Sequence, residues 1–312
     1  MRVLRSFALA GLALFTATAC PAVCMAAGKP VRIVTSIPPL AMIAAEMGGD
    51  RVTSHSILPP GADPHTFEPK PSDAIAIAEA DLIIVLGSSI DDWIGITIAA
   101  PAGTSIVRLD EQHEDAHEHA GHTHDGGEHD PHVWLDPAWV RERAVPALQR
   151  ALVAADPEGA ARHGASARAM VEKLSDLEED IREQLEGAAT RSFLAWHPAW
   201  QHFARRFGLH SVGSVGEGGG REPSLHAMIA AVRAAKAAGV RAVLVEPQVD
   251  SRQASVLAGE LAVPLVIVDP LGDAWSLDRA TYRTLMLFNA RAFGRALGVD
   301  GTPSGPSGSP DR

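Results

Sequence analysis

Residues 31–86 carry the pattern that decides the fold: VRIVTSIPPLAMIAAEMGGDRVTSHSILPPGADPHTFEPKPSDAIAIAEADLIIVL. Short apolar runs at 31–35 and 82–86 are separated by amphipathic stretches at 39–48 and 72–80, with a further short run at 52–58. Strands that alternate with helices in this way indicate a parallel sheet covered by helices. The sequence therefore predicts an α/β fold.

The same alternation returns in the second half of the chain. Its predicted strands lie at 192–196, 212–215, 242–245 and 265–268, and its predicted helices lie near 198–207, 225–238, 250–262 and 278–296. The halves also share a local feature, because Glu68-Pro69 and Glu222-Pro223 each stand shortly before a helix that leads into a strand. We therefore expect two similar lobes, each with a parallel sheet flanked by helices.

A long helix is predicted between the lobes. Asp156-Pro157 is a strong helix start, with a capping carboxylate and proline at the first helical position. Apart from Gly164, nothing breaks the pattern before Gly187. We expect an N-terminal lobe at 28–155, a bridging helix at 156–187 and a C-terminal lobe at 188–300; two shorter helices broken at Gly164 are the alternative. The tail at 301–312 is rich in Gly, Ser and Pro and is predicted to be disordered.

The first 27 residues have the layout of a secretory signal. Basic residues at 2 and 5 precede an apolar run at 7–19 and a small-residue end at Ala26-Ala27. We expect cleavage after Ala27 and a periplasmic protein, since the apolar run is shorter than the ~20 residues that cross a bilayer. Both cysteines, Cys20 and Cys24, lie in this segment, so the mature chain has no thiol ligand. A lipid anchor at Cys20 is the less favoured alternative.

The charge of the chain bears on its partners. Its formal net charge is −11, and loss of the leader removes two positive charges and makes it −13. A surface this acidic argues against nucleic acid or anionic lipid as a partner.

A histidine-rich stretch occupies residues 113–129. Its six histidines, mixed with acidic residues, are His113, His117, His119, His122, His124 and His129. The stretch has no hydrophobic period, so we expect a surface loop that offers auxiliary weak metal sites. The alternative is a solvated polar insert without a role.

Four further residues stand in loops or at strand ends, where α/β proteins place their ligands. They are His65, His132, His197 and Asp269. Taken singly, each has an ordinary interpretation as a surface histidine, a buried structural histidine or a helix cap. Together, three imidazoles and one carboxylate make a tetrahedral shell suited to zinc, whereas manganese favours more oxygen ligands. We assign the remaining histidines outside the histidine-rich stretch to surface or structural roles, namely His55, His163, His202, His210 and His226.

The order of several short motifs resembles the metal-specific substrate-binding proteins of bacterial ABC importers, in particular the zinc-uptake type. The resemblance covers nearly all of 31–297 and rests on these segments: Ile33-Val34-Thr35-Ser36, Pro64-His65-Thr66-Phe67-Glu68-Pro69, Asp130-Pro131-His132-Val133-Trp134-Leu135-Asp136-Pro137, Trp196-His197-Pro198-Ala199-Trp200, Glu222-Pro223-Ser224, Val245-Glu246-Pro247-Gln248 and Val268-Asp269-Pro270-Leu271-Gly272.

This resemblance implies two lobes joined by one long helix, with the metal held between them by His65, His132, His197 and Asp269. It also implies a histidine-rich loop typical of the zinc branch. The partners it implies are the membrane permease of a zinc ABC importer and a periplasmic zinc chaperone. Two departures stand out: the segment 216–221 is unusually rich in glycine, and the second lobe lacks the cysteine pair that some zinc receptors carry.

We therefore expect a monomeric, non-enzymatic protein that binds Zn(II) as its transported ligand and delivers it to an importer. The alternatives are a manganese or iron receptor of the same fold and a metal-binding adhesin or zinc buffer. A zinc hydrolase is less favoured, because no predicted helix carries a His-Glu-x-x-His motif and Asp269 would occupy the position that a catalytic water needs.

Overall fold

The computed structural model of the chain describes residues 29–97, 104–109, 130–216, 223–250 and 252–299. The predicted leader, the six histidines of 113–129, the predicted tail and Glu222 lie outside the described residues. Among the helices that are described, none is both long enough and apolar enough to cross a membrane.

The first lobe is built on a parallel sheet of four strands in the order β2-β1-β3-β4. Its elements in chain order are β1 Val31–Thr35, α1 Pro38–Gly48, β2 Val52–Ser56, α2 Pro71–Glu79, β3 Leu82–Val85, α3 Asp92–Thr97, β4 Ser105–Arg108, α4 Pro137–Trp139 and α5 Val145–Ala155. Strand β3 is buried along its whole length, as a strand must be when helices cover both faces of its sheet.

The second lobe repeats this arrangement with a four-stranded parallel sheet in the order β6-β5-β7-β8. Its elements are β5 Ser192–Ala195, α7 Gln201–Phe207, β6 His210–Ser214, α8 Leu225–Ala237, β7 Val243–Val245, α9 Arg252–Leu261, β8 Leu265–Ile267 and α10 Tyr282–Leu297. The prediction of two similar parallel lobes is confirmed. Helix α10 begins later than the predicted residue 278, because the Thr281 side chain caps it by accepting the Thr284 N–H.

Each sheet changes direction at its first strand. The chain leaves β1 for β2 on one side and returns to β3 on the other, and β5, β6 and β7 repeat this path. Such a switch opens a crevice at the carboxyl ends of the central strands, which is where ligands bind in open α/β sheets. We therefore expect a ligand site in the loops that follow these strand ends.

Helix α6, Ala160–Gln184, lies between the lobes and is about 38 Å long at ~1.5 Å per residue. It follows a tight turn at Pro157–Gly159, where Asp156 accepts the Gly159 N–H, so the helix is shorter than the predicted 156–187. Gly164 does not break it. Its buried face contacts α1 and α5 of the first lobe and α10 of the second, and the prediction of one long helix between the lobes is confirmed.

One apolar core runs through both lobes. It begins with Leu40 and Ile84 of the first lobe, passes through Leu174 of α6, and reaches Phe203 and Phe293 of the second lobe. Two smaller apolar clusters lie on the other faces of the sheets. The lobes are thus joined by packed side chains as well as by the chain itself.

Candidate metal centre

His65 is presented by the loop that follows β2. The Asp63 carboxylate accepts the His65 backbone N–H at 2.9 Å, which shapes a tight turn, and the neighbouring Pro64 is buried. His65 itself is exposed at the edge of the cleft. The turn therefore holds an accessible imidazole on a backbone that proline restrains.

His132 is buried and oriented by Asp130. One Asp130 oxygen accepts the His132 backbone N–H at 3.0 Å and lies 2.6 Å from the ring Nδ1. A carboxylate on one ring nitrogen places the proton there and leaves Nε2 with a lone pair for a metal. Behind the ring, Trp134 donates from Nε1 to the Pro270 carbonyl at 2.7 Å and so links the two lobes next to the site.

His197 follows β5 and is the ligand from the second lobe. The preceding residue, Trp196, continues the sheet through its N–H to the Leu244 carbonyl at 2.8 Å. Burial, followed by the positive charge that His132 and His65 would carry, lowers the pKa of His197 to about 2. A neutral imidazole, which is the form that binds metal, is therefore the state of His197 at neutral pH.

The three imidazoles meet at their Nε2 atoms. Nε2 of His197 lies 3.2 Å from Nε2 of His65 and 3.3 Å from Nε2 of His132, and the ligand atoms of all three lie within 4.8 Å of one another. Zinc–nitrogen bonds of ~2.0–2.1 Å in a tetrahedron require nitrogens roughly 3.3 Å apart. The spacing therefore fits one zinc ion held by both lobes.

A cavity of about 430 Å³ opens beside the imidazoles and is lined in part by Asp63, Trp196, Glu246 and Gln248. It leaves room for a fourth ligand and gives a path to solvent. Three neutral nitrogens and an open side are a donor set for zinc, copper, nickel or cobalt rather than for calcium or magnesium.

Asp269, the fourth predicted ligand, does not join the three imidazoles within that 4.8 Å group. It is buried, with Oδ1 accepting from Gln248 Nε2 and from the Leu271 and Gly272 N–H groups, while Oδ2 accepts from Arg279. The carboxylate is thus turned toward other partners. Its role as a zinc ligand stays a prediction.

Two acidic residues near the imidazoles were missed by the sequence reasoning. Glu246 follows β7, accepts from Trp200 Nε1 at 3.0 Å and lines the cavity, and burial raises its pKa to about 8. Its position at a strand end is a signal that the sequence offers, and it is the same signal that marks His197. Asp130, which orients His132, stands two residues before that histidine in Asp130-Pro131-His132.

The histidines assigned to surface or structural roles lie away from the imidazole group. His55, His210 and His226 are exposed, and His163 is buried against Asp156 with an Nε2–Oδ2 distance of 2.8 Å. The remaining one, His202, is nearer: its Nε2 lies 3.0 Å from the Asp130 carbonyl, behind His132. It supports the loop of a candidate ligand without facing the metal position.

Comparison with known proteins places these features in a family. The family described as "ZnuA: Zinc-uptake complex component A periplasmic" matches residues 33–296. The zinc-binding protein AdcA of Streptococcus pyogenes is 29% identical over 266 residues, which cover 79% of this chain and 51% of AdcA. The high-affinity zinc uptake system protein ZnuA of Yersinia pestis is 27% identical over 277 residues, which cover 80% of this chain and 86% of that protein.

Solved structures agree with the sequence comparisons. A crystal structure of ZnuA has a TM-score of 0.72 and 27% identity, covering 86% of this chain and 99% of that one. The laminin-binding protein Lmb of Streptococcus agalactiae, described as an adhesin with metal-transporting activity, has a TM-score of 0.74 and 25% identity, covering 86% of this chain and 99% of Lmb. This chain spans about half the length of the AdcA relatives it matches.

Proposed function

We propose that this chain, which belongs to the family of zinc-uptake complex component A, captures Zn(II) in the periplasm. It then delivers the ion to the membrane permease of a zinc ABC importer. The observation that carries this proposal is the convergence of three Nε2 atoms, two from the first lobe and one from the second, at the spacing of a zinc tetrahedron. Binding between two lobes also gives a way to release the ion, since a partner that distorts a ligand-bearing loop of one lobe removes a ligand.

Zinc is the favoured cargo because of the donor set. Three imidazoles with His132 held in one tautomer by Asp130 suit a borderline-soft ion, while manganese favours a shell richer in oxygen. AdcA of S. pyogenes and ZnuA of Y. pestis carry zinc in their names, which supports the same choice. A manganese or iron receptor is the alternative that competition between metals decides.

The role we propose is binding without chemistry. Relatives are named as a zinc-binding protein and as a zinc uptake system protein, and in this proposal the three imidazoles act only as ligands that close on the ion. A zinc hydrolase would need a reactive water at the open position. Residues 113–117 have the His-Glu-x-x-His spacing, but they lie in the histidine-rich stretch. That stretch has no hydrophobic period, so the sequence does not predict the helix on which this motif binds zinc. Ester and peptide hydrolysis by the zinc-loaded protein, compared with the metal-free protein, is expected to show no zinc-dependent rate.

Zinc affinity measured by competition with a chromophoric chelator tests the proposal. We expect the wild-type mature chain to bind one zinc tightly. His65→Ala is expected to lower the zinc affinity by far more than the ~10–100-fold that follows when an outer partner of a ligand is lost. His55→Ala is the matched control, because His55 is an exposed histidine on the strand that leads to the same loop. Equal tight binding by wild type and His65→Ala would overturn the proposal.

Delivery to an importer is tested in cells. A strain that lacks this protein is expected to grow poorly when zinc is chelated, and the wild-type chain, but not His197→Ala, is expected to restore zinc uptake. Full restoration by His197→Ala would contradict the proposal. Retention of the protein's effect in a strain without the permease would indicate the alternative role of an adhesin or zinc buffer.

A further inference from the structure

The Asp269 carboxylate is fully engaged before any metal arrives. It is 1% exposed, and its Oδ1 accepts three N–H donors, from Gln248, Leu271 and Gly272, at 2.9 to 3.0 Å. Its Oδ2 accepts from Arg279 Nη1 at 2.9 Å, in an ion pair. A buried carboxylate needs such a counter-charge, because an unpaired charge in the interior is strongly destabilising.

Arg279 reaches this carboxylate from a loop on the outside of the second lobe. Its Nη2 donates to the Ser276 hydroxyl at 3.2 Å, and its guanidinium lies 5.1 Å from the centre of the Phe288 ring. The same loop carries Trp275 and Leu277, which are 83% and 94% exposed. The ion pair between Arg279 and Asp269 therefore connects this exposed loop to the interior of the second lobe.

We infer that Arg279 is a built-in counter-ion that competes with zinc for Asp269, and so sets how tightly the metal is held. The inference rests on the proposed function and on the prediction that Asp269 is the fourth ligand. Without metal, Arg279 neutralises Asp269 and keeps its Oδ2 engaged. When zinc is bound by the three imidazoles, the carboxylate gains a second cation to pair with, and it completes the shell only to the extent that it leaves Arg279.

The competition has a consequence for release. Because the two cations share one carboxylate, zinc weakens the hold of Arg279 on Asp269 and Arg279 weakens the hold of zinc by the same factor. A permanently available internal cation stabilises the empty site after the ion leaves. Arg279 is thus a positioning residue for a ligand, and it favours delivery over the tightest possible binding.

Zinc affinities of four variants, measured by chelator competition at pH 7.5, test this inference. Arg279→Gln keeps an amide donor for Asp269 but removes the charge, and we expect it to bind zinc on the order of ten-fold more tightly, within the usual range of coupling between two sites. Arg279→Lys keeps the charge and is expected to stay near the wild-type affinity. Arg283→Gln, four residues further along, removes the same charge from a surface pair with Asp180 and is expected to change little.

The fourth variant, Arg279→Gln combined with Asp269→Asn, is expected to lose the gain in zinc affinity that Arg279→Gln shows alone. Wild-type affinity or weaker binding in Arg279→Gln overturns the inference. So does an equal gain in Arg283→Gln, or a gain that survives Asp269→Asn. If the wild-type chain itself binds no zinc tightly, the proposed function fails instead, so the two failures are distinguishable.

A measurement on the wild-type protein covers the case in which Arg279→Gln does not fold. Nitrogen NMR of the arginine side chains, with the Arg279 signal assigned by its loss in Arg279→Lys, is expected to show that signal shifting when one equivalent of zinc is added. The Arg283 signal serves as the internal reference and is expected to stay in place. An Arg279 signal that zinc leaves unchanged overturns the inference.

Discussion

At His197 a single ring shows how the fold prepares a ligand. The imidazole is buried between the rings of His65 and His132, with centroids 4.9 and 5.1 Å away. Burial and the neighbouring imidazoles lower its pKa to about 2, so this ring stays neutral, and able to bind a metal, well into the acid range.

The pKa of His197 also predicts how the stability of the metal-free protein depends on pH. Its folded value of about 2 lies below the ordinary value of 6.5, so between these pH values the unfolded chain binds a proton that the folded chain does not. Stability is thus intact above pH 6.5 and falls as the pH drops, by about 1 kcal/mol per pH unit from this residue. Denaturant unfolding of metal-free wild type and His197→Gln between pH 7.5 and 4.5 measures it.

The expected difference lies in the slope. His197→Gln should lose less stability per pH unit than wild type, because glutamine does not titrate. Parallel curves for the two proteins would show that the His197 imidazole is not held neutral in the fold.

The Asp130 carboxylate holds the His132 ring through its Nδ1 at 2.6 Å. Asp130→Asn keeps the size of the side chain but removes the charge that holds the proton on His132 Nδ1. We expect zinc affinity to fall by ~10–100-fold, as is usual when the outer partner of a metal-binding histidine is lost. Asp81→Asn, in an exposed pair with Arg32, is the control for charge alone, and an equal effect of the two variants would contradict a specific role for Asp130.

How far the sequence could predict the site differs from residue to residue. Loop and strand-end positions, together with the short motifs, point to His65, His132 and His197, and the structure brings their ligand atoms within 4.8 Å of one another. Their role as zinc ligands stays a prediction. The partner of Asp269 could not be predicted in this way. Arg279 lies in an irregular loop, and it meets Asp269 where Phe288 and Asn289 of α10 pack against the two residues, a contact that no local period records.

Among the elements, helix α6 depends on packing for its continuity. Gly164 disfavours a helix by ~1 kcal/mol relative to alanine, which is why a break at this residue was the alternative. The helix continues because one side of it is buried, with Ala167, Met170, Leu174, Leu177 and Ile181 at spacings of three and four residues. Local propensity was overridden by contacts with both lobes.

The buried side of α6 should therefore control the stability of the whole chain. Leu174→Ala removes a side chain that is 1% exposed in the shared core, and we expect it to lower the free energy of unfolding by ~2–5 kcal/mol. Val171→Ala is the matched control, because Val171 lies on the exposed side of the same helix. Denaturant unfolding measures both, and equal effects would contradict the assignment of the buried face.

For the whole molecule, the shared core limits how far the lobes can move. Packed side chains run from the first sheet through α6 to Phe293, and Trp134 of the first lobe donates to the Pro270 carbonyl of the second. The Tyr282 hydroxyl likewise donates to the Trp134 carbonyl at 2.8 Å. The sequence predicted two lobes and a bridge, but the contacts between lobes are long-range and carry no periodic signal.

This packing predicts a small change in shape on binding. The radius of gyration from solution scattering should differ by less than about 1 Å with and without zinc, since preorganised binding sites move little. Rearrangement is expected in the loops that carry His65 and His132. Compaction of several ångströms would mean that the lobes hinge widely and that the shared core opens.

The zinc K-edge X-ray absorption spectrum of the mature protein tests the central claim most directly. It should be recorded at one equivalent of zinc on a variant that lacks residues 113–129, so that the histidine-rich stretch contributes no ligand. The account predicts three imidazole nitrogens at ~2.0–2.1 Å and one further light ligand. A spectrum with fewer than three imidazoles around the ion would contradict it.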